Sequence, residues 1–196
     1  MKQYLFSRRV LGWATVLAGL ALVPAQAASA STALTCPMPA LSQPFSALGD
    51  TNQYALVPGQ AVDNFTGTGW TLSGGASITA TKLADGTTGS VLNLPAGAKA
   101  VSPAMCVSGG YPAARMVART LGTAASAGMM FYVSPAGSST VSGGLPVLAT
   151  PSWAASAPVS VAPGSTAAEM VQFTLVSGAK AATDQVYNLY VDPRMH

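Results

Sequence analysis

Apolar and polar side chains alternate near the C-terminus with a period of two. Val171, Phe173 and Leu175 are apolar, and the intervening Gln172 and Thr174 are polar. Successive side chains of a strand point to opposite faces, so this period is typical of a half-buried strand in an antiparallel sheet.

The last apolar segment shows a similar alternation. We expect Tyr187, Leu189 and Val191 to share one face, opposite Asn188 and Tyr190. This segment is therefore predicted to be a second half-buried strand.

A third segment, residues 115–121, places two arginines on one strand face. Arg115, Val117, Arg119 and Leu121 share that face because they are spaced by two. Two cationic side chains on one face predict that the face is at least partly in contact with water.

The rest of the chain from residue 31 has short apolar runs, which turn residues interrupt about every ten positions. No stretch has the pattern of a long amphipathic helix. Ala84, Asp85 and Gly86 favour a hairpin turn between two of the runs. Strands are predicted at residues 54–57, 69–73, 77–81, 91–94, 104–107, 115–121, 129–134, 145–148, 159–161, 170–176 and 186–191. This rhythm predicts an all-β fold, a sandwich or a barrel.

The N-terminus has the pattern of a cleavable secretory signal. Residues 1–9 are basic, residues 10–23 are apolar, and Pro24 precedes two small-x-small sites. We expect a signal peptide at 1–30, an irregular segment at 31–45 and a single β-sandwich domain at 46–196. A retained N-terminal anchor is the competing interpretation. Arg8 and Arg9 resemble a twin-arginine signal, so the export route stays open.

The positive charge of the chain belongs to this leader. The formal net charge is +3, and Lys2, Arg8 and Arg9 supply all of it. The remaining chain is neutral, so its composition gives no reason to expect nucleic-acid binding. We expect a secreted, periplasmic or cell-surface bacterial protein, with no membrane contact after the signal is cleaved.

Two cysteines, Cys36 and Cys106, follow the leader. In an exported protein an isolated pair most often forms one disulfide. Two buried thiols are the alternative interpretation.

Few side chains in this sequence support catalysis. The single histidine is His196, so a Ser-His-Asp triad and a histidine-based zinc site are not expected. We expect no enzyme, with a carboxylate-dependent glycoside hydrolase as the remaining alternative. No cofactor is expected. A structural calcium ion is the alternative, with Asp50, Asp184 and Asp192 as candidate ligands, although these carboxylates can instead be solvated or cap turns.

Sugar binding needs an aromatic platform with polar groups beside it. Trp153 lies on a predicted loop and is the first candidate, although a loop tryptophan can instead close the end of a sandwich. Trp70 stands at the start of a strand and is predicted to lie in the core. Tyr111 and Arg115 complete the candidate ligand-binding set.

Several motifs together resemble secreted bacterial proteins with the galactose-binding-like jelly roll of carbohydrate-binding modules. They are QYALVPG at 53–59, GWTLSGGA at 69–76, LNLP at 92–95, SPAMCV at 102–107, YP at 111–112 with Arg115, and VYNLYVDPR at 186–194. The resemblance implies an antiparallel jelly-roll β-sandwich. Members of that group often carry paired acids before the final strand, where this chain has Asp184 and Gln185.

Two functions of different classes follow from these observations. The first is an exported, non-catalytic β-sandwich domain that binds a polysaccharide or a cell-surface glycan. The second is a structural or surface-assembly protein that self-associates or binds a protein partner, because a net charge near zero promotes association.

Overall fold

Antiparallel strands make up nearly all of the regular structure in the described part of the chain. The computed structural model describes residues 36–37, 39–107, 113–122, 128–138, 142–160, 168–178 and 182–192. These residues form one short 3-10 helix, Ser46–Leu48, and thirteen strands. The strands are β1 (Ala55–Leu56), β2 (Thr71–Ser73), β3 (Ser77–Lys82), β4 (Thr88–Leu94), β5 (Lys99–Val101), β6 (Met105–Val107), β7 (Ala113–Leu121), β8 (Gly128–Pro135), β9 (Ser142–Leu148), β10 (Ala154–Ala155), β11 (Val159–Ser160), β12 (Glu169–Ser177) and β13 (Thr183–Val191).

The strands form two antiparallel sheets. The seven-stranded sheet has the order β10-β7-β13-β4-β3, with β1 also pairing with β13 and β11 with β7. The six-stranded sheet has the order β2-β5-β12-β8-β9, with β6 also pairing with β12. The predicted all-β antiparallel sandwich is thus confirmed.

The main hydrophobic core lies between the two sheets. The seven-stranded sheet contributes Met116, Leu92 and Val186, and the six-stranded sheet contributes Phe131 and Phe173. The two phenylalanine rings stack with centroids 5.6 Å apart. As predicted, Val171, Phe173 and Leu175 all face this core and are buried. Their alternation fixes the register of β12, because a slip by one residue would turn all three to solvent.

A β-bulge interrupts the predicted alternation of β13. The register against β7 shifts between Tyr187 and Tyr190, and Asn188 has a φ of 52°. Asn188 holds this left-handed conformation through two hydrogen bonds with Asp63, at 2.8 and 2.7 Å. Asparagine tolerates that conformation better than most residues do. The expectation that Tyr187 shares a face with Leu189 and Val191 is therefore wrong.

Tyr187 and Tyr190 point instead to the outer face of the seven-stranded sheet. There Tyr190 packs with Phe45 and Tyr54, which we call the Phe45 cluster. Tyr187 packs with Leu83 and Val91, which we call the Tyr187 cluster. These two clusters cover much of this outer face with the chain's own loops.

The disulfide between Cys36 and Cys106 is formed, as predicted, with the two Cα atoms 5.4 Å apart. Cys106 lies on β6, so the bond fixes the start of the described chain to the six-stranded sheet. The predicted signal peptide and His196 lie outside the described residues. Within the described part, no helix is long and apolar enough to span a membrane.

Candidate functional site

The outer face of the six-stranded sheet carries a shallow depression, which we call the Tyr132 depression. Its lining side chains come from three adjacent strands: Lys99 from β5, Thr174 and Val176 from β12, and Tyr132 from β8. The register places Thr174 opposite Tyr132 and Val176 opposite Lys99. The depression has a volume of about 320 Å³.

Alternation along the strands brings these side chains to the surface. Phe131 and Phe173 point into the core, so their neighbours Tyr132 and Thr174 point outward. Thr174 lies at the buried floor of the depression, and Tyr132 is half-buried. The strands thus hold an aromatic ring and polar groups on a rigid surface.

Gly144 of β9 lies directly beside the Tyr132 ring. A Cβ atom built on Gly144 would overlap three ring carbons of Tyr132. The absence of a side chain at this position therefore lets the ring lie against the backbone of the neighbouring strand. One face of the ring is supported in this way, and its polar end is not engaged: within the described part of the chain, no hydrogen bond involves the Tyr132 hydroxyl.

Lys99 supplies the charge of the depression. All six Asp and Glu residues of the chain lie in the described part, and none of them forms an ion pair with Lys99. Lys99 therefore lines the same depression as the half-buried Tyr132 ring, without an ion-paired Asp or Glu. This combination offers a ring for stacking, a hydroxyl for hydrogen bonding and a fixed positive charge.

Trp153, the first sequence candidate, lies on the other sheet, against the Tyr187 cluster. Its indole N–H donates a hydrogen bond of 2.8 Å to the Lys82 carbonyl. The guanidinium of Arg119 stacks on its ring at 4.3 Å, and Tyr187 meets it edge-on with centroids 4.9 Å apart. Trp153 is half-buried, and its contacts connect its loop to the end of β3.

Arg119 in turn belongs to a hydrogen-bonded network across four strands. Its Nε donates to Gln185 Oε1 at 2.9 Å, and Gln185 Nε2 donates to Asn93 Oδ1 at 3.0 Å. A second Arg119 nitrogen donates to the Thr81 hydroxyl at 2.9 Å. The polar groups next to Trp153 are thus mostly satisfied within the protein.

Arg115 is buried in an ion pair at the Phe45 cluster. It contacts Asp50 at 2.7 Å, donates to the Ser156 carbonyl at 2.9 Å, and lies 4.4 Å above the Phe45 ring. Burial acts to raise the pKa of Asp50, but hydrogen bonds from Arg115, Tyr54 and the Asn52 N–H outweigh it and lower that pKa. Burial, with the neighbouring Asp50 carboxylate, raises the pKa of Tyr54 to about 12.

The structure does not bring the sequence candidates for ligand binding together. Trp153 stacks on Arg119, which lies four residues, roughly 13 Å, along β7 from Arg115. Tyr111 lies outside the described residues. Trp70 is buried, as predicted, and its indole N–H donates to the Pro58 carbonyl at 2.9 Å.

The three candidate calcium ligands do not form one group. Asp184 and Asp192 stand eight residues from each other on and just after β13, roughly 25 Å along a strand. Asp50 is engaged by Arg115, and Asp184 accepts a hydrogen bond from Ser177 at 2.7 Å. No group of three or more acidic, histidine or cysteine residues able to hold a metal occurs among the described residues.

Sequence reasoning missed the Tyr132 depression. The segment at 129–134 is a correct strand prediction, and its alternation alone separates Tyr132 from the buried Phe131. Lys99 lies on β5, a three-residue strand between turns that no periodic pattern reveals. The role of Gly144 depends on the pairing of β8 with β9, which only the structure provides.

No known protein family matches this chain, and no curated protein matches it in sequence. Solved structures similar to it include carbohydrate-binding modules. The xylan-binding CBM22-1 domain of Paenibacillus barcinonensis Xyn10C is 14% identical, with a TM-score of 0.43, over 63% of this chain and 85% of that chain.

Two further structures are similar at the same level. The CBM22-1 and GH10 modules of Clostridium thermocellum xylanase 10B, complexed with xylohexaose, are 14% identical with a TM-score of 0.49. The match covers 71% of this chain but only 28% of that longer one. CBM6cm-2 from Cellvibrio mixtus lichenase 5A, in complex with cellotriose, is 15% identical with a TM-score of 0.41, over 64% and 91% of the two chains. With TM-scores below 0.5, these similarities assign no site residue to this chain.

Proposed function

We propose that this protein is an exported, non-catalytic glycan-binding domain, and that it binds sugar at the Tyr132 depression. The supporting observation is the half-buried Tyr132 ring, fixed against Gly144 beside Lys99 and Thr174. The C–H face of a sugar ring stacks on an aromatic ring, and its hydroxyls need polar partners nearby. The depression offers both on one rigid sheet.

We place the binding site at the Tyr132 depression and not at Trp153 because of the side-chain groups that remain free to contact a ligand. A ligand must make hydrogen bonds and ring contacts that the protein does not already make. The indole N–H of Trp153 is donated to Lys82, and Arg119 occupies one face of the ring. The Tyr132 hydroxyl and the Lys99 ammonium have no such partners among the described residues.

Export is part of the proposal. The basic, apolar and small-residue order of residues 1–30 is that of a secretory signal. The formed disulfide supports an oxidising compartment, because cytosolic proteins rarely keep one. Intact mass of the exported protein should show a mature N-terminus near Ala28 or Ser31, and retention of residues 1–23 would contradict this.

Affinity gel electrophoresis of the mature protein in a panel of polysaccharides tests the binding function. Wild-type protein should be retarded by at least one polymer. Tyr132→Ala should lose the retardation, and Tyr132→Phe should keep part of it, because it retains the ring. Leu48→Ala is the matched control, since Leu48 is exposed on the 3-10 helix that follows Phe45, which packs on the other sheet.

Two outcomes would count against the proposal. Equal retardation of wild type and a correctly folded Tyr132→Ala variant would remove the depression as the binding site. Loss of retardation in Trp153→Ala at an unchanged melting temperature, with Tyr132→Ala unaffected, would move the site to the seven-stranded sheet.

Self-association is the second candidate function, and one apolar groove favours it. The groove runs between β9 and the β10–β11 segment and has a volume of about 460 Å³. Beside it Leu148 is 81% exposed, and Leu145 and Pro158 are exposed as well. A second copy of the chain is the partner that would cover it. Light scattering should then show a mass that rises with concentration in wild type and not in Leu148→Ser. A monomer at all concentrations would exclude this function.

A further inference from the structure

We infer that the glycan bound at the Tyr132 depression is acidic, a polysaccharide with carboxylate groups on its sugar rings. This inference rests on the proposed function. It is carried by Lys99, which lines the depression and forms no ion pair with any Asp or Glu of the described chain.

The surrounding sheet has almost no other charge. Of the six acidic residues, Glu169 is the one that lies on a strand of the six-stranded sheet. Glu169 and Val176 belong to the same strand, and Val176 pairs with Lys99. Seven residues of strand separate them, roughly 23 Å, which exceeds the screening length of about 8 Å at physiological salt. Glu169 therefore does not offset the charge of Lys99.

Asp184 contacts Ser177, the residue that follows Val176, but its side chain faces the core and not the depression. It lies on the inner side of the sandwich, where Ser177 donates a hydrogen bond to it. It is fully buried, and this burial raises its pKa, which favours the neutral carboxyl. The positive potential at the outer face is thus left uncompensated by this group as well.

The other cations of the described chain differ from Lys99 in this respect. Arg115 pairs with Asp50, and Arg119 is held by Gln185, Thr81 and the Trp153 ring. Lys82 is exposed at the end of β3 on the opposite sheet and lines no described depression. Among the cations at described positions, Lys99 is the one that combines an unpaired charge with an aromatic ring and a recessed surface.

A carboxylated sugar ring fits this combination. Its C–H face stacks on Tyr132 while its carboxylate approaches the ammonium group at the side, and a charge-assisted hydrogen bond is stronger than a neutral one. A neutral sugar would leave the Lys99 ammonium partly desolvated without a counter-charge, which disfavours its binding. Lys99 thereby discriminates acidic from neutral polymers.

The test compares polymers that share a backbone and differ in charge. Polygalacturonate is paired with its fully methyl-esterified form, and carboxymethyl-cellulose with hydroxyethyl-cellulose. Affinity gels and calorimetry are run on wild type, Lys99→Gln, Lys99→Arg, Tyr132→Ala and the control Lys82→Gln. The control removes the same charge from an exposed lysine on the other sheet.

The expected result is binding to at least one acidic polymer and weaker binding to its neutral counterpart. Lys99→Gln should lose about tenfold in affinity for the acidic polymer, as a charged hydrogen bond implies. Lys99→Arg should retain most of it, and Lys82→Gln should match wild type. Raising NaCl from about 0.05 to about 0.5 M should weaken wild type and affect Lys99→Gln much less.

Other outcomes overturn the inference and separate it from the proposed function. Tyr132-dependent binding to the neutral polymers alone would preserve the glycan function and reject the acidic ligand. Equal losses in Lys99→Gln and Lys82→Gln would show non-specific charge attraction, and would also reject it. Binding of no polymer in the panel would overturn both. Unchanged melting temperatures of the lysine variants ensure that a loss reports on binding.

Discussion

Ser177 on β12 donates a hydrogen bond of 2.7 Å to the Asp184 carboxyl on β13, and this bond joins the two sheets inside the core. Asp184 is fully buried, and its second oxygen, Oδ1, has no hydrogen-bond partner. The hydroxyl of Thr120, the residue opposite Asp184 on β7, lies near this carboxyl without a well-aligned hydrogen bond. An unpaired carboxylate costs free energy in such a place, whereas a protonated carboxyl can donate to a neighbouring oxygen.

Asp184 should therefore make stability fall as pH rises. Burial raises its pKa above the ordinary value, so the folded state binds the proton more tightly than the unfolded chain does. The stabilisation is complete below the ordinary pKa and is lost as pH rises through the raised one. Asp184→Asn should remove this loss, and above that range it should stabilise the protein by roughly 1–3 kcal/mol.

Thermal unfolding at a series of pH values, from acid to mildly alkaline, measures the effect. The difference between Asp184→Asn and wild type should grow with pH. Glu169→Gln, at the other end of β12, serves as the control and should follow wild type. A constant difference at all pH values would mean that Asp184 does not titrate in this range.

Strand periodicity predicted much of the fold from the sequence. Every predicted strand overlaps an observed one. One face of each strand packs on the core, so buried residues such as Phe173 recur at every second position and reveal the strand in the sequence. The strands that were missed, β5 and β10, have three and two residues, too few for a period to appear. The bulge at Asn188 was missed because its cause is a hydrogen-bonding partner, Asp63, 125 positions earlier in the chain.

The ion pair between Arg115 and Asp50 should be a major source of stability. Both side chains are mostly buried, with 9% and 11% of their surfaces exposed. Removing one partner leaves the other charge buried without an opposite charge beside it, at a cost of roughly 3–5 kcal/mol. Urea unfolding of Arg115→Met and Asp50→Asn should show this loss, and Lys82→Gln should not.

Acid should weaken the same pair. The pKa of Asp50 is lowered, so the stabilisation is present at neutral pH and is lost as pH falls through the lowered pKa. Stability of Asp50→Asn should therefore depend less on pH at the acid end than that of wild type. A double variant, Arg115→Met with Asp50→Leu, should recover part of the loss, because it leaves no charge unpaired.

The disulfide should contribute stability mainly by restricting the unfolded chain. Cys36 and Cys106 are 70 positions apart, and closing a loop of this size is worth at most about 4 kcal/mol in the chain-entropy model. The double variant Cys36→Ser/Cys106→Ser should unfold at lower urea with its strand content intact. Wild type under reducing conditions is the matched comparison, and identical midpoints with and without reductant would contradict the prediction.

Trp153 should act on stability rather than on binding. Trp153→Ala removes the indole hydrogen bond to Lys82, the stacking with Arg119 and the edge contact with Tyr187. We expect a loss of roughly 2–4 kcal/mol, near the lower range for a large aromatic because the ring is only half-buried. Acrylamide should quench Trp153 more than the buried Trp70 in single-tryptophan variants. Loss of glycan retention without loss of stability would contradict this role.

The candidate site shows the limit of a sequence-based prediction. The sequence favours Trp153 because it lies on a predicted loop, yet its position in the fold is set by Arg119 and Lys82, which come from different strands. Whether a side chain is free to bind a ligand depends on such tertiary partners, and the periodicity of the sequence does not reveal them. Tyr132 became a candidate only when its neighbour across the sheet was seen to be Gly144.

Gly144→Ala is the substitution that isolates the orientation of the Tyr132 ring. A Cβ at this position meets only ring atoms of Tyr132 among its nearest contacts, so the strain is relieved by moving one side chain and not the backbone. The fold should persist, with a melting temperature close to that of wild type. Glycan affinity should fall nearly as far as in Tyr132→Ala, because stacking requires the ring at a fixed angle and height.

Two comparisons make this result specific. Thr71→Ala changes an exposed residue on the same sheet by a similar volume, and should leave both stability and affinity unchanged. Gly59→Ala should instead destabilise the protein strongly, because Gly59 has a φ of 83° and its added Cβ meets the Thr68 carbonyl and the Trp70 ring. Calorimetric titration with a retained polysaccharide, alongside thermal unfolding, separates the two effects. Wild-type affinity in Gly144→Ala would show that the ring's position against β9 plays no part in binding.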